Sequence, residues 1–246
     1  MHKLLAALAL SGASLLALPA SAMVEAKLVE SMYKTLTSGN LNTMAKVAEQ
    51  MVYYGIEDDR LYQQLATTID ANLAPESSRI ADNIAWLSKG LAASGDDKYK
   101  PLLEKMVASS DTKLQRYGKE SLERLELYKQ WNPLIRDHSS DGLAFEQGLY
   151  QVYYNMISSS EPELMRIGAK RIEFERISDP LLLDRLRDRL QQEAQRDVND
   201  GDWEDAVSWM ARALAVAGGD HYRADLMKVA DQATSSKVAR YATKYL

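Results

Sequence analysis

The chain has 246 residues, 46% of them hydrophobic and 26% charged, with a formal net charge of -5 and no cysteine. Without cysteine there are no disulfides, no thiolate metal sites and no cysteine nucleophile, so stability must come from a packed core, which a chain of this length is able to form. The acidic balance and the lack of a dense Lys/Arg run argue against a nucleic acid partner.

Residues 1–22 open with Lys3, continue as an uncharged Leu/Ala run from Leu4 to Leu18, and close on Pro19, Ala20, Ser21 and Ala22. That is the layout of a secretory signal peptide, with Ala20 and Ala22 as the small residues that set cleavage. The apolar run is shorter than the roughly 18 to 20 residues that cross a bilayer. A periplasmic or secreted protein is expected, with no stable membrane insertion once the signal is removed.

From residue 23 onward the apolar residues recur at helical spacing, as in Ile80, Ile84, Leu87 and Leu91. Start and stop signals predict helices at 25–37, 40–55, 58–72, 77–94, 97–108 and 111–128, then at 142–158, 161–176, 179–198, 202–217, 220–233 and 235–246. No alternating β-branched run bounded by turn residues calls for a strand. Between the two sets, residues 130–142 hold Pro133, two serines and Gly142 and read as a joint.

The two sets share residues in collinear order. Residues 33–65 match 154–186 without a gap, keeping among others Met44/Met165, Ala48/Ala169, Asp58/Asp179 and Leu61/Leu182. Residues 83–106 then match 206–229, keeping Trp86/Trp209, Leu91/Leu214, Gly95/Gly218, Asp97/Asp220, Tyr99/Tyr222 and Leu103/Leu226. Such a pattern is what internal duplication leaves. It divides the chain into a first helical unit, 23–129, and a second, 143–246. Gly95 and Gly218 read as glycines that end a helix in the left-handed region, and Asp97 and Asp220 as N-caps two residues later. Asp58 and Asp179 read as caps of another helix.

Residues 100–125 carry Pro101, Leu102 and Leu103, then Asp111, then Leu114, Gly118, Ser121, Leu122 and Leu125. This stretch resembles a HEAT repeat, an antiparallel helix pair that stacks into an α-solenoid. The second unit has Leu226, Val238, Ala242 and Leu246 in those places, with Ala224 where Pro101 stands. The arginine that the family sets just after the first apolar residue of its second helix is one step late, at Arg116 and Arg240. The resemblance implies an all-α solenoid of stacked helix pairs and a habit of binding other macromolecules. It implies no catalytic residue.

The residues that carry chemistry are sparse. Of three histidines, His2 lies in the signal segment, His138 in the joint, and His221 where the first unit has Lys98, so no metal site is expected. A Gly-x-Ser-x-Gly elbow and a Gly-rich phosphate loop are both missing, and no cofactor is expected. Ser110-Asp111 and Ser158 to Ser160 read as caps, and the acids and arginines of 184–196, such as Asp184 with Arg187, read as a solvated helix face. The recurring aromatics Tyr33, Trp86, Tyr99 and Tyr117 read as core or hairpin contacts. Tyr54 differs, because its counterpart is Glu175, which implies a position facing water, whereas Tyr53, matched to Phe174, reads as buried. Tyr54 and Trp131, the latter in the joint, are the expected partner-binding residues.

The expected function is that of an exported, non-enzymatic interaction module whose partner is an envelope protein, a peptide or a second copy of itself. The alternative is a small-ligand-binding protein or hydrolase-type enzyme with its site between the two units, near Trp131, Asp137 and His138.

Overall fold

The computed structural model describes residues 20–137, 143, 145 and 147–245, with side chains from residue 26 onward. Residues 1–19 of the expected signal segment and His138 lie outside the described residues. Ala20 and Ala22 open the first helix. Among the described residues the chain is all-α, without strands.

The first set of helices is α1 (Ala20–Leu36), α2 (Leu41–Tyr54), α3 (Asp59–Asp70), α4 (Ser78–Ala92), α5 (Lys100–Val107) and α6 (Thr112–Ile135). The second is α7 (Leu149–Ser158), α8 (Pro162–Phe174), α9 (Pro180–Ala194), α10 (Gly201–Gly218), α11 (Arg223–Gln232) and α12 (Ser236–Lys244). Within the first set α1 packs on α2 and α3, both of those pack on α4, α4 packs on α6, and α5 packs on α6. Every one of these pairings has its counterpart in the second set: α7 on α8 and α9, those two on α10, and α10 and α11 on α12. Helices α6 and α7 join the sets.

Caps set most of the helix starts. Asp58 accepts from the Arg60 N–H at 2.9 Å, Asp179 from Leu182 at 2.9 Å, and Asp111 from Lys113 and Leu114 at 2.9 and 3.0 Å. Each such cap satisfies an otherwise orphaned donor and is worth about 1 kcal/mol. Two expected caps are corrected. The cap before α5 is Asp96, which accepts from Lys98 N–H, while Asp97 lies inside a 3-10 turn and receives Lys129. Asp220 lies in the equivalent 3-10 turn, Gly219–Tyr222, and caps nothing. Gly95 takes the left-handed φ of +64°, but in the second set that geometry falls on Gly219, at +56°, and not on Gly218.

The recurring residues form the core. Met44, Ala48, Ile56, Leu61, Leu65, Leu91 and Leu103 are buried, and so are Met165, Ala169, Ile177, Leu182, Leu186, Leu214 and Leu226. Tyr99 and Tyr222, one in each 3-10 turn, are buried as well, and each donates its hydroxyl at 3.1 Å to a carboxylate on the helix beneath, Asp59 and Asp184 respectively. Burial first, and then those carboxylates, push both phenols up to about 12.

Helix α6 departs from the expected boundary. Residues 130–135 are not the start of a joint but the last turns of a 24-residue helix that runs through Pro133. An interior proline removes a ladder bond and costs about 3 kcal/mol. The end of α6 recovers that through its neighbours. Trp131 and Ile135 are buried, Tyr128 donates to the Val52 carbonyl at 2.7 Å, and the Asn132 amide donates to the Ala93 and Ser94 carbonyls at 3.1 and 2.9 Å. Leu114 and Leu125, nearer its start, belong to the apolar cluster of the first set, whereas Tyr128, Trp131 and Ile135 belong to that of the second. One helix therefore spans both cores.

Candidate functional site

An open groove of about 270 Å³ lies where α8 of the second set faces α2, α4 and α6 of the first. Helix α8 lines it with Glu163, Arg166, Ile167, Lys170, Arg171 and Phe174, which at that spacing share one helical face. The opposite face, with Leu164, Met165, Gly168, Ala169 and Ile172, is buried. Opposite stand Val52 and Tyr53 at the end of α2, Trp86 and Lys89 one turn apart on α4, and Arg124 on α6. Five cations and one carboxylate thus converge in a chain that is acidic overall.

Three of the cations already have carboxylate partners. Glu163 is 3.5 Å from Arg124 and 3.8 Å from Arg166, and Arg166 also reaches Asp205 at 3.3 Å. Arg171 pairs with Glu175 and lays its guanidinium over the Tyr53 ring, 4.7 Å from the centroid. The two lysines are arranged otherwise. The Lys89 ammonium stands 4.7 Å from the centres of both Trp86 and Tyr117, and that of Lys170 stands 4.5 Å from the centre of Trp209. Among the described residues neither has an ion pair. Trp209 also carries Arg212 at 4.7 Å, so each recurring tryptophan holds the cation three residues ahead of it. Phe174 meets Trp209 edge-on, with 6.3 Å between centroids.

Two of these rings are open to water: Trp86 is 40% exposed and Phe174 62%. That corrects the reading of Trp86 as a core contact. The two residues expected to meet a partner lie elsewhere. Trp131 is 3% exposed and packs edge-on against Tyr128, so it presents no surface. Tyr54 is half-buried and packs against both apolar clusters. Its hydroxyl is pushed up first by burial and then by the Glu175 charge, with Arg171 opposing. Tyr53, expected inside, lines the groove instead. Tyr54 and Glu175 differ in surroundings: Tyr54 at the end of α2 packs against both apolar clusters, whereas Glu175 at the end of α8 is an exposed residue whose carboxylate takes the Tyr153 hydroxyl and Arg171. His221 is exposed, as its exchange with Lys98 implied.

Lys89, Lys170, Trp86 and Phe174 were not read from the sequence as site residues. A signal was available in the gapless match: at an offset of 121, Arg166, Lys170 and Arg171 stand where the first unit has Ala45, Glu49 and Gln50. The two matched segments thus differ in charge along the face that lines the groove. Among the described residues no group of three or more His, Asp or Glu side chains is placed to hold a metal ion, and no helix is long and apolar enough to cross a membrane.

The sequence matches no family model and no curated protein. Among solved structures, the crystal structure of an engineered protein from the Northeast Structural Genomics Consortium is similar at 17% sequence identity, over 89% of this chain and 94% of that one, with a TM-score of 0.27. A likeness of that size carries no argument about fold or function.

Proposed function

We propose that this chain is an exported, non-enzymatic helical-repeat protein that acts as an interaction module in the cell envelope, and that the groove between α2, α4, α6 and α8 is its binding surface. The observation that carries the reading is the convergence of five cations and two water-exposed aromatic rings on one open face. Exposed apolar rings rimmed by charge are the usual composition of a contact surface, and aromatic and arginine side chains are enriched among residues that anchor partners.

The repeat reading draws on the matched packing of the two sets and on the shared burial of recurring residues. In it, two six-helix units arose by duplication and stack HEAT-like, sharing α6. Stacked repeats bury a continuous core and leave long open faces, which suits a binding platform. Export rests on the layout of residues 1–22, and it puts the partner in the envelope. The groove offers charge and aromatic surface, and its lining carboxylate, Glu163, is held between Arg124 and Arg166. That arrangement suits recognition more than proton transfer.

The test is affinity capture from envelope extracts with the intact chain as bait, followed by cross-linking in the cell. A single protein retained in near-stoichiometric amount, and cross-linked to this chain, is expected. Retention of nothing beyond the background of an unrelated helical bait would end the reading. The N-terminus of the exported chain, read by mass spectrometry, should be Met23.

A further inference from the structure

We propose that the groove takes an extended acidic segment of a partner protein, with carboxylates on Lys89 and Lys170 and apolar side chains over Trp86 and Phe174. This deepens the interaction reading and rests on it. The lysines carry the argument. Both are half-buried, both hold their ammonium groups against an indole face, and neither meets a carboxylate among the described residues. A cation held on an aromatic face is fixed in place, yet its outward N–H donors remain available. The other groove cations are occupied: Arg124 and Arg166 by Glu163, Arg171 by Glu175. The groove therefore has two prepared anion positions, one on α4 and one on α8.

An anion alone would leave much of the surface uncovered. Trp86 and Phe174 stand beside those lysines with large exposed ring areas. Covering the rings and the lysines together requires apolar and acidic groups on one strand of chain, as in a segment where Asp or Glu alternates with apolar residues. A polynucleotide also combines negative charge with flat rings, but it fits less well. Its binding rests mainly on Lys and Arg side chains that neutralise many successive phosphates. Here two cations are unpaired, Glu163 lies in the groove, and the chain as a whole carries a net -5. Charge complementarity on this small face thus favours a short acidic stretch of protein.

The test uses the full chain and a short fluorescein-labelled peptide of alternating glutamate and leucine, with binding read by fluorescence anisotropy. Lys89→Glu and Lys170→Glu should each weaken binding about tenfold and the double variant further, as expected for close charge pairs. Lys34→Glu, on the exposed face of α1, makes the same change in net charge and should leave binding unaltered. Trp86→Ala and Phe174→Ala should weaken binding several-fold, and a peptide with glutamine in place of glutamate should lose it. Far-ultraviolet circular dichroism checks that each variant folds. The proposal is overturned if the peptide does not bind, if the glutamine peptide binds equally well, if the groove variants behave like Lys34→Glu, or if a short single-stranded oligonucleotide or inorganic phosphate competes more strongly than the peptide. Capture that persists in the Lys89→Glu/Lys170→Glu chain would overturn this proposal and the groove as the binding surface, while the chain would still be an interaction module.

Discussion

Gly55 and Ile135 meet so closely that a Cβ placed on the glycine would stand 2.6 Å from the isoleucine Cγ2. Gly55 also has a left-handed φ of +58°, where it ends α2 and turns the chain toward α3. The end of α6 holds this turn from outside, with Arg136 donating its Nε to the Gly55 carbonyl at 2.9 Å and a second nitrogen to that of Ile56. Gly55→Ala should therefore cost about 2 to 5 kcal/mol, the sum of left-handed strain and overpacking. Gly39 serves as the control, because its φ is +76° but nothing stands within 4 Å of its Cβ position. Gly39→Ala should cost about 1 to 2 kcal/mol, the strain alone. Urea unfolding of both variants checks the difference, and equal losses would show that the α2–α6 contact adds nothing.

Trp131 is a stability residue. Its indole is 3% exposed and sits against Tyr128 with 5.4 Å between ring centroids, in the cluster that α6 shares with the second set of helices. Trp131→Ala should cost about 3 to 5 kcal/mol in urea unfolding, as truncation of a large buried aromatic does. Trp131→Phe should retain most of that. An alanine variant as stable as the parent would mean that the indole is not packed as described.

The fold was largely legible because periodicity and capping are local. The helix starts at Asp58, Asp111 and Asp179 each need only one side chain and the next few N–H groups, so their residues announce them. The end of α6 was not legible, since Pro133 and the serines after it are a local stop signal, while the bonds that override it come from Val52, Ala93 and Ser94 far away in sequence. The groove was hidden for the same reason. Lys89 and Lys170 are ordinary surface lysines in sequence, and only the fold, which sets α8 across a groove from α4, turns them toward one space. Comparison of the two matched sets of helices exposed the core well, because the recurring core positions are buried in both. It misplaced Tyr54, because the ends of α2 and α8 differ in surroundings.

Asp205 links α10 to α8 and α12, accepting from Arg166 at 3.3 Å and from Lys237 at 3.2 Å. Burial alone would raise its pKa, but the hydrogen bonds and charges of Lys237 and Arg166 outweigh it and hold the carboxyl below the ordinary 3.8. As pH falls the unfolded chain thus takes up this proton first. The stabilisation is complete above 3.8 and is lost as pH drops through the lower folded value. Urea midpoints measured from pH 7 down to pH 3 should fall in the acid limb, and Asp205→Asn should start lower at neutral pH and fall less steeply. An identical acid limb in the variant would remove Asp205 from the account.

Glu193, on α9, is 1% exposed and joins three elements. Its Oε1 receives Arg189 at 2.9 Å, and its Oε2 receives Arg196 at 2.7 Å and the Trp203 indole N–H of α10 at 2.8 Å. Arg189 reaches on to the Ser159 carbonyl at 3.0 Å, after α7, and burial lowers its pKa against the opposing pull of Glu193. Replacing Glu193 by leucine strands a largely buried guanidinium without its counter-charge, a change that costs about 3 to 5 kcal/mol. Replacing both Glu193 and Arg189 by leucine removes the stranded charge together with its partner, so the double variant should be markedly more stable than the sum of the single losses implies. Exposed Arg196 would then lie at the surface, where water solvates it. A double-mutant cycle in urea gives the coupling directly, and additive losses would mean that the two side chains contribute independently and that the cluster is not a unit.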